Sequence, residues 1–225
     1  MDVWFIGLVA ILAFGIMTFI RRWNDYNFLF TMAIGFAINA NLFTPLNAGV
    51  DLGIFRFSVS IVLYIGFVFS VLICIKEYGP KKGKALVSST IAAIIFSGLI
   101  EFLAKISAYG YSLDILKVFL TYIYSSIGTL LATIVIIILM VKLKRKMNIY
   151  LLFAINVILA VIIHGVIYFP LVILTYSGME RFINVIFGSM LATVVCIILG
   201  LISYFINTHW WIPKNLRFRY KKKKD

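Results

Sequence analysis

Long apolar runs separated by short polar connections extend along the chain. Runs of 18 or more apolar residues recur from end to end, and a helix of that length crosses a hydrocarbon core about 30 Å thick. The pattern therefore predicts an all-α integral membrane protein. We expect about seven transmembrane helices, at residues 3–20, 28–43, 57–75, 85–106, 117–141, 149–176 and 183–206.

The overall composition supports a membrane protein and excludes an ordinary soluble domain. Hydrophobic residues make up 63% of the chain, charged residues only 13%, and the mean hydropathy is +1.07. Soluble domains have an apolar share of about 45–50%. We assign residues 1–208 to a transmembrane domain and residues 209–225 to an interfacial and cytoplasmic tail. The expected location is the cytoplasmic membrane of a prokaryote, as a multi-pass protein.

Basic residues cluster in alternate connections and in the tail. The net charge is +13, but these residues do not follow one amphipathic face, so we expect no nucleic-acid partner. The remaining connections carry Asp51, Asp114 and Glu180. Because Lys and Arg favour the cytoplasmic side, we predict the amino terminus outside and the carboxyl terminus inside.

The tail has the composition of a membrane-surface segment. Trp210 and Trp211 suit the headgroup layer, where an indole is half hydrated. A lysine near anionic lipid contributes about 1 kcal/mol of binding. We therefore expect anionic lipids of the inner leaflet to bind the tail, as a general anchor more than a specific site, through Lys221, Lys222, Lys223 and Lys224.

No catalytic motif is visible in the sequence. It contains no phosphate-binding glycine loop, no H-E-x-x-H and no G-x-S-x-G. Cys74 and Cys196 lie in separate apolar runs, without metal-site or disulfide spacing. We expect no enzymatic activity, no cofactor and no metal.

Polar residues inside the apolar runs are the candidates for function, because ionisable groups in a membrane are costly. Glu101 and Lys105 are one helical turn apart, so they form either a structural pair or a contact for a polar substrate. His164 falls near the middle of the sixth run, and both of its ring nitrogens need partners. It is either a substrate contact or proton relay, or a histidine satisfied by a neighbouring Ser or Asn.

A second group of polar residues falls in the predicted outer half of the bundle. If they face one another, they form a polar pocket with aromatic walls, as small-molecule sites have. Hydrogen bonds between helices and interfacial placement of Tyr and Arg are the alternative explanation. The proposed substrate-binding set joins these residues to the first group: Asn39, Asn41, Arg56, Glu101, Lys105, Tyr122, Ser126 and His164.

Several stretches are similar to the VUT family of vitamin-uptake-like transporters, which includes transporters of a queuosine precursor, 7-cyano-7-deazaguanine. They are AIGFAINANLF, KEYGPKKGK, SSIGTLLATIVIIILMVKLKRK and INVILAVIIHGVIYF. The resemblance implies uptake of a deazapurine-like or vitamin-like molecule. The chain departs from the family's acidic and glutamine positions on these helices, where it has Cys74, Thr133, Ile136 and His164.

Two functions of different classes follow. The first is uptake of a small polar molecule from outside, driven by a gradient or by separate energising subunits, in a single chain or a homo-oligomer. The second is a non-transporting sensor or assembly subunit that binds a cytoplasmic partner through its basic loops and tail. A dry bundle whose polar groups pair only with each other favours the second. A membrane-embedded enzyme acting on lipid is the weakest alternative, since Glu101 stands without clustered catalytic groups.

Overall fold

A computed structural model of the protein describes residues 26–43, 49–52, 55–176 and 179–209. Side-chain environments are described for residues 26–27, 29–41, 59–168 and 190–206. The predicted first helix and the lysine-rich tail lie outside these ranges. The elements are α1 (Tyr26–Phe43), β1 (Gly49–Leu52), β2 (Phe55–Ser58), α2 (Val59–Tyr78), α3 (Pro80–Tyr109), α4 (Leu113–Leu143), α5 (Ile149–Tyr176) and α6 (Met179–His209).

The helices have the length and composition of membrane spans. Four described segments qualify: α2, α3, α4 and Ile149–Tyr168 of α5. Two shorter apolar stretches, Leu29–Asn41 and Met190–Ile206, lie in α1 and α6. The protein is therefore a multi-pass, helical membrane protein. The count of seven helices and the direction of insertion stay predictions.

The second helix, α2, is the centre of the bundle. In its spanning window 83% of residues are buried, against 28% in α3. Phe67, Phe69 and Leu72 are completely enclosed, because α2 packs against α1, α3 and α6 and also contacts α4 and α5. A helix that is apolar on every face is typical of such a central position.

The outward faces of α3 and α4 are apolar. Phe96 and Leu103 on α3, and Leu131 and Ile138 on α4, have exposed side chains. In a soluble protein such a surface would be unfavourable, but on a membrane span it lies against lipid chains. These faces identify the lipid-contacting side of the helix pair.

The basic segment after α2 forms the first turns of α3. This corrects the predicted start of α3, which is at Pro80 and not at residue 85. Gly79 has φ 89° and Pro80 occupies the first turn of α3. Proline is favoured there because the first N–H groups of a helix have no intrahelical acceptor, so no hydrogen bond is lost when proline lacks its N–H. A Cβ on Gly83 would lie 2.5 Å from Ile75 Cγ1, so α2 and α3 approach closely at this turn. Hydropathy alone placed the boundary too late because lysines extend the helix beyond its apolar part.

The connection before α2 contains a β-hairpin, which corrects the placement of Arg56 at the start of a helix. Asp51 and Arg56 are cross-strand partners in the antiparallel pair, and α2 begins only at Val59. Residues 55–58 read FRFS, and this alternation of apolar and polar residues is typical of a strand. The second strand lies against α6.

The basic connections lie together at one end of the bundle. Lys82 Nζ is 4.1 Å from the centre of the Tyr26 ring, which joins the α2–α3 turn to the start of α1. Lys84 and Lys142 line one groove, and Tyr150 contacts Tyr204 near the end of α6. We call this the basic end, defined by the α2–α3 turn and the α4–α5 connection. Its cytoplasmic location stays a prediction.

Candidate functional site

One face of α4 carries hydroxyl groups into the bundle. Tyr122, Ser125, Ser126, Thr129 and Thr133 are all buried. Their spacings of three, four, seven and eleven residues from Tyr122 place them on one side of a helix. We call these five residues the α4 polar face. The rest of α4 is largely aliphatic, so this face is the polar part of the span.

Two hydroxyls of this face, those of Ser126 and Thr133, donate within the helix. Ser126 Oγ donates to the Tyr122 carbonyl oxygen at 2.9 Å, and Thr133 Oγ1 donates to that of Thr129 at 2.7 Å. Such bonds are common for Ser and Thr in apolar helices. A hydroxyl also has two acceptor lone pairs, so the face can still accept hydrogen bonds from a ligand, a water molecule or an imidazole.

His164 of α5 packs directly on α4 at Gly128. A Cβ on Gly128 would be 2.9 Å from His164 Cδ2, so the imidazole occupies the space that the glycine leaves open. The His164 ring lies 4.3 Å from the Tyr64 ring and 5.2 Å from the Tyr168 ring, centre to centre. The imidazole therefore lies among three helices, α2, α4 and α5, and contacts α4 at Gly128.

One ring nitrogen of His164, Nε2, is unsatisfied within the described part of the chain. Nε2 is buried and has no hydrogen-bond partner among the residues that the structure describes. Buried polar atoms almost always have partners, and an exception in a native site calls for an explanation such as a bound molecule. The Ser or Asn partner that the sequence suggested for this nitrogen is not found among the described side chains.

Asn156 is a buried polar residue of α5, about two turns from His164, that the sequence reasoning missed. It lies eight residues before His164 on α5, on the same helical face. Its Nδ2 donates to the Leu152 carbonyl oxygen at 2.7 Å, while Oδ1 is buried without a partner in the described part of the chain. The eight-residue spacing of the two polar residues was the available signal.

Glu101, Lys105 and Tyr122 form a closed cluster, which we call the Glu101 triad. Lys105 Nζ lies 2.6 Å from Glu101 Oε1, and the Tyr122 hydroxyl donates to Glu101 Oε2. The Tyr122 ring lies over Gly98, where a Cβ would be 2.6 Å from Tyr122 Cγ. The side chains of Glu101 and Lys105 are 22% and 36% exposed. The charges neutralise each other, as the structural alternative requires.

The two asparagines of α1 are not brought together. Asn39 is exposed and donates to the Gly35 carbonyl oxygen at 2.8 Å. Asn41 is buried and donates to that of Ala37 at 2.8 Å. Two successive 100° steps place them on nearly opposite sides of the helix. Of the predicted binding set, three residues meet in the Glu101 triad and Ser126 bonds the Tyr122 main chain. The side chain of Arg56 lies outside the described environments.

The chemistry available at His164 is hydrogen bonding in an aromatic setting. No group of three His, Cys, Asp or Glu side chains suited to a metal occurs in the described segments. Next to the imidazole lie the rings of Tyr64 and Tyr168. An imidazole in such a setting can bind a flat, polar molecule or relay a proton. No family model matches the chain, and it matches neither a curated protein nor a solved structure.

Proposed function

We propose that this protein is a membrane transporter, or the substrate-binding membrane subunit of one, for a small polar molecule. The site consists of His164 and the α4 polar face. The observation that carries the proposal is the buried Nε2 of His164, which has no partner in the described chain. A solute or water that hydrogen-bonds to Nε2 would remove the cost of this unsatisfied atom.

The surroundings of His164 favour a planar solute. Tyr64 and Tyr168 provide aromatic surface on the ring, and apolar walls with a few polar groups are usual in ligand sites. A neutral imidazole offers one donor and one acceptor. This pairing matches the amide and amine edges of a nucleobase-like compound.

The resemblance to the VUT family supports a deazapurine as the first compound to test. His164 stands where the family is expected to have an acidic residue, so the bound group would meet an imidazole instead of a carboxylate. We propose a divergent relative with a related, flat substrate. Energy would come from an ion gradient or from separate energising subunits, because the sequence contains no nucleotide-binding motif.

The test is ligand-dependent melting of the purified protein in detergent. We expect 7-cyano-7-deazaguanine to raise the unfolding temperature, since a ligand present at 100 times its Kd stabilises the folded state by about 2.7 kcal/mol. His164→Ala is expected to lose this shift, whereas Asn39→Ala, at an exposed position, is expected to keep it. Absence of a shift in the unmodified protein excludes this substrate. An equal shift in His164→Ala excludes the site.

A second function is favoured by a different observation. The Glu101 triad is closed, and Asn39, Asn41 and Ser126 bond their own helices. A bundle of this kind can act without a solute, as a sensor or assembly subunit that binds an acidic partner at the basic end. Access of water-soluble reagents to the α4 polar face distinguishes the two functions, since only the transporter requires it.

A further inference from the structure

A groove separates α3 from α4 at the basic end. It is open on one side and has a volume of about 690 Å³. Its wall is mainly aliphatic and includes Val87, Leu130, Ile134 and Ile138. Lys84, near the start of α3, and Lys142, near the end of α4, also line it.

Along the helix axis, the groove is about as long as one leaflet of a bilayer is thick. Leu130 and Lys142 lie twelve residues apart on α4, which corresponds to about 18 Å at 1.5 Å per residue. Half of a hydrocarbon core of about 30 Å has a similar depth. The lysines therefore lie at headgroup level when the aliphatic wall lies among acyl chains.

The distribution of charge matches that of an anionic phospholipid. Both lysines are exposed, and neither has a described carboxylate partner among the ion pairs of the structure. Pro80 also lines the groove, so the positive end of the α3 dipole adds to the same field. A phospholipid whose phosphate binds there would have an acyl chain beside the aliphatic wall.

We propose that this groove binds one anionic glycerophospholipid from the leaflet at the basic end. The phosphate lies between Lys84 and Lys142, and one acyl chain lies between α3 and α4. Basic pockets between membrane helices are known to bind acidic headgroups in this way. His164 does not line this groove, and the lipid proposal does not depend on the transport proposal.

Native mass spectrometry of the full chain tests the proposal. The protein is released from micelles that contain equal amounts of phosphatidylglycerol and phosphatidylcholine with identical acyl chains. We expect one retained phosphatidylglycerol. In the double variant Lys84→Gln with Lys142→Gln, its retention relative to phosphatidylcholine should fall by roughly thirtyfold, as expected for two lysine contacts.

A matched control removes two charges from the same connections. Lys81 and Lys146 are exposed at the basic end but do not line the groove, so Lys81→Gln with Lys146→Gln should retain the lipid. Ser88→Trp keeps both groove lysines and fills the groove, and it should also lose the lipid. Equal loss in both double variants, or retention in Ser88→Trp, would overturn the proposal. Displacement of the lipid by inorganic phosphate at the same concentration would also overturn the proposal, since the acyl chain would then contribute nothing to binding.

Discussion

The Glu101 triad and the His164 region are both polar clusters within the span, but they differ in how their hydrogen bonds are completed. In the triad the Tyr122 hydroxyl and Lys105 both bind Glu101. At His164 the ring is enclosed by aromatic side chains, yet Nε2 has no partner in the described residues. Within the described part of the chain, the first cluster is complete without a ligand and the second is not.

This difference distinguishes a polar cluster that stabilises helix packing from one that the proposed function would use. A closed cluster stabilises the packing of α3 on α4, and replacing one member leaves the others unsatisfied. The His164 region should contribute less to folding, because its buried Nε2 has no partner among the described residues. Substitutions at the two clusters should therefore have opposite consequences for stability and for ligand binding.

The largest loss of stability is expected at the Glu101 triad. Glu101→Leu removes the acceptor of the buried Tyr122 hydroxyl and the partner of Lys105. We expect the free energy of unfolding to fall by about 2–3 kcal/mol, since an unsatisfied buried group costs about 1–3 kcal/mol. Denaturant unfolding in detergent measures it. Glu101→Gln keeps an acceptor and should lose less; an equal loss in both variants would contradict a hydrogen-bonding role.

A smaller effect is expected where α4 contacts the imidazole. Gly128→Ala places a Cβ 2.9 Å from His164 Cδ2, and overpacking of this kind costs about 1–3 kcal/mol. We expect a loss in the lower part of that range, because the closest atom belongs to a side chain that can shift. Gly35→Ala is the matched control, because a Cβ there meets nothing within 4 Å. Thermal unfolding of both variants should show a loss for Gly128→Ala only. Similar melting temperatures would show that the helices do not approach as closely as described.

The smallest effect on stability is expected at the open site. His164→Phe keeps a flat ring between Tyr64 and Tyr168 and removes the unpaired nitrogen. We expect a change within about 1 kcal/mol, since replacing an unsatisfied group by an apolar one is nearly neutral or favourable. Ligand-dependent melting should nevertheless disappear. A loss as large as that of Glu101→Leu would mean that Nε2 has a partner and that the site is closed.

The sequence predicted the class of fold and some helix limits. The range 149–176 coincides with α5 (Ile149–Tyr176), because apolar residues fill that helix from end to end. The start of α3 at Pro80 was not predicted, since Lys81, Lys82 and Lys84 lower the local hydropathy without ending the helix. The hairpin was missed because a short strand pair looks like a polar loop between two spans.

For the candidate site, the sequence could predict contacts within one helix but not contacts between helices. The ion pair of Glu101 with Lys105 follows from their spacing of four residues. The bond from Tyr122 to Glu101 and the packing of His164 on Gly128 depend on the register between helices, which no local pattern contains. For Asn39 and Asn41, the two-residue spacing already indicated divergent faces.

The most direct measurement is cysteine accessibility along α4 in proteoliposomes. Ser125→Cys and Thr129→Cys are nearly isosteric changes on the α4 polar face, made after Cys74 and Cys196 are replaced by Ala; Leu131→Cys, on the exposed apolar face, is the control. If a water-soluble molecule reaches His164, a charged methanethiosulfonate should modify the first two cysteines and not the third. Unreactive cysteines at both positions of the polar face would show a dry bundle and contradict the proposed site.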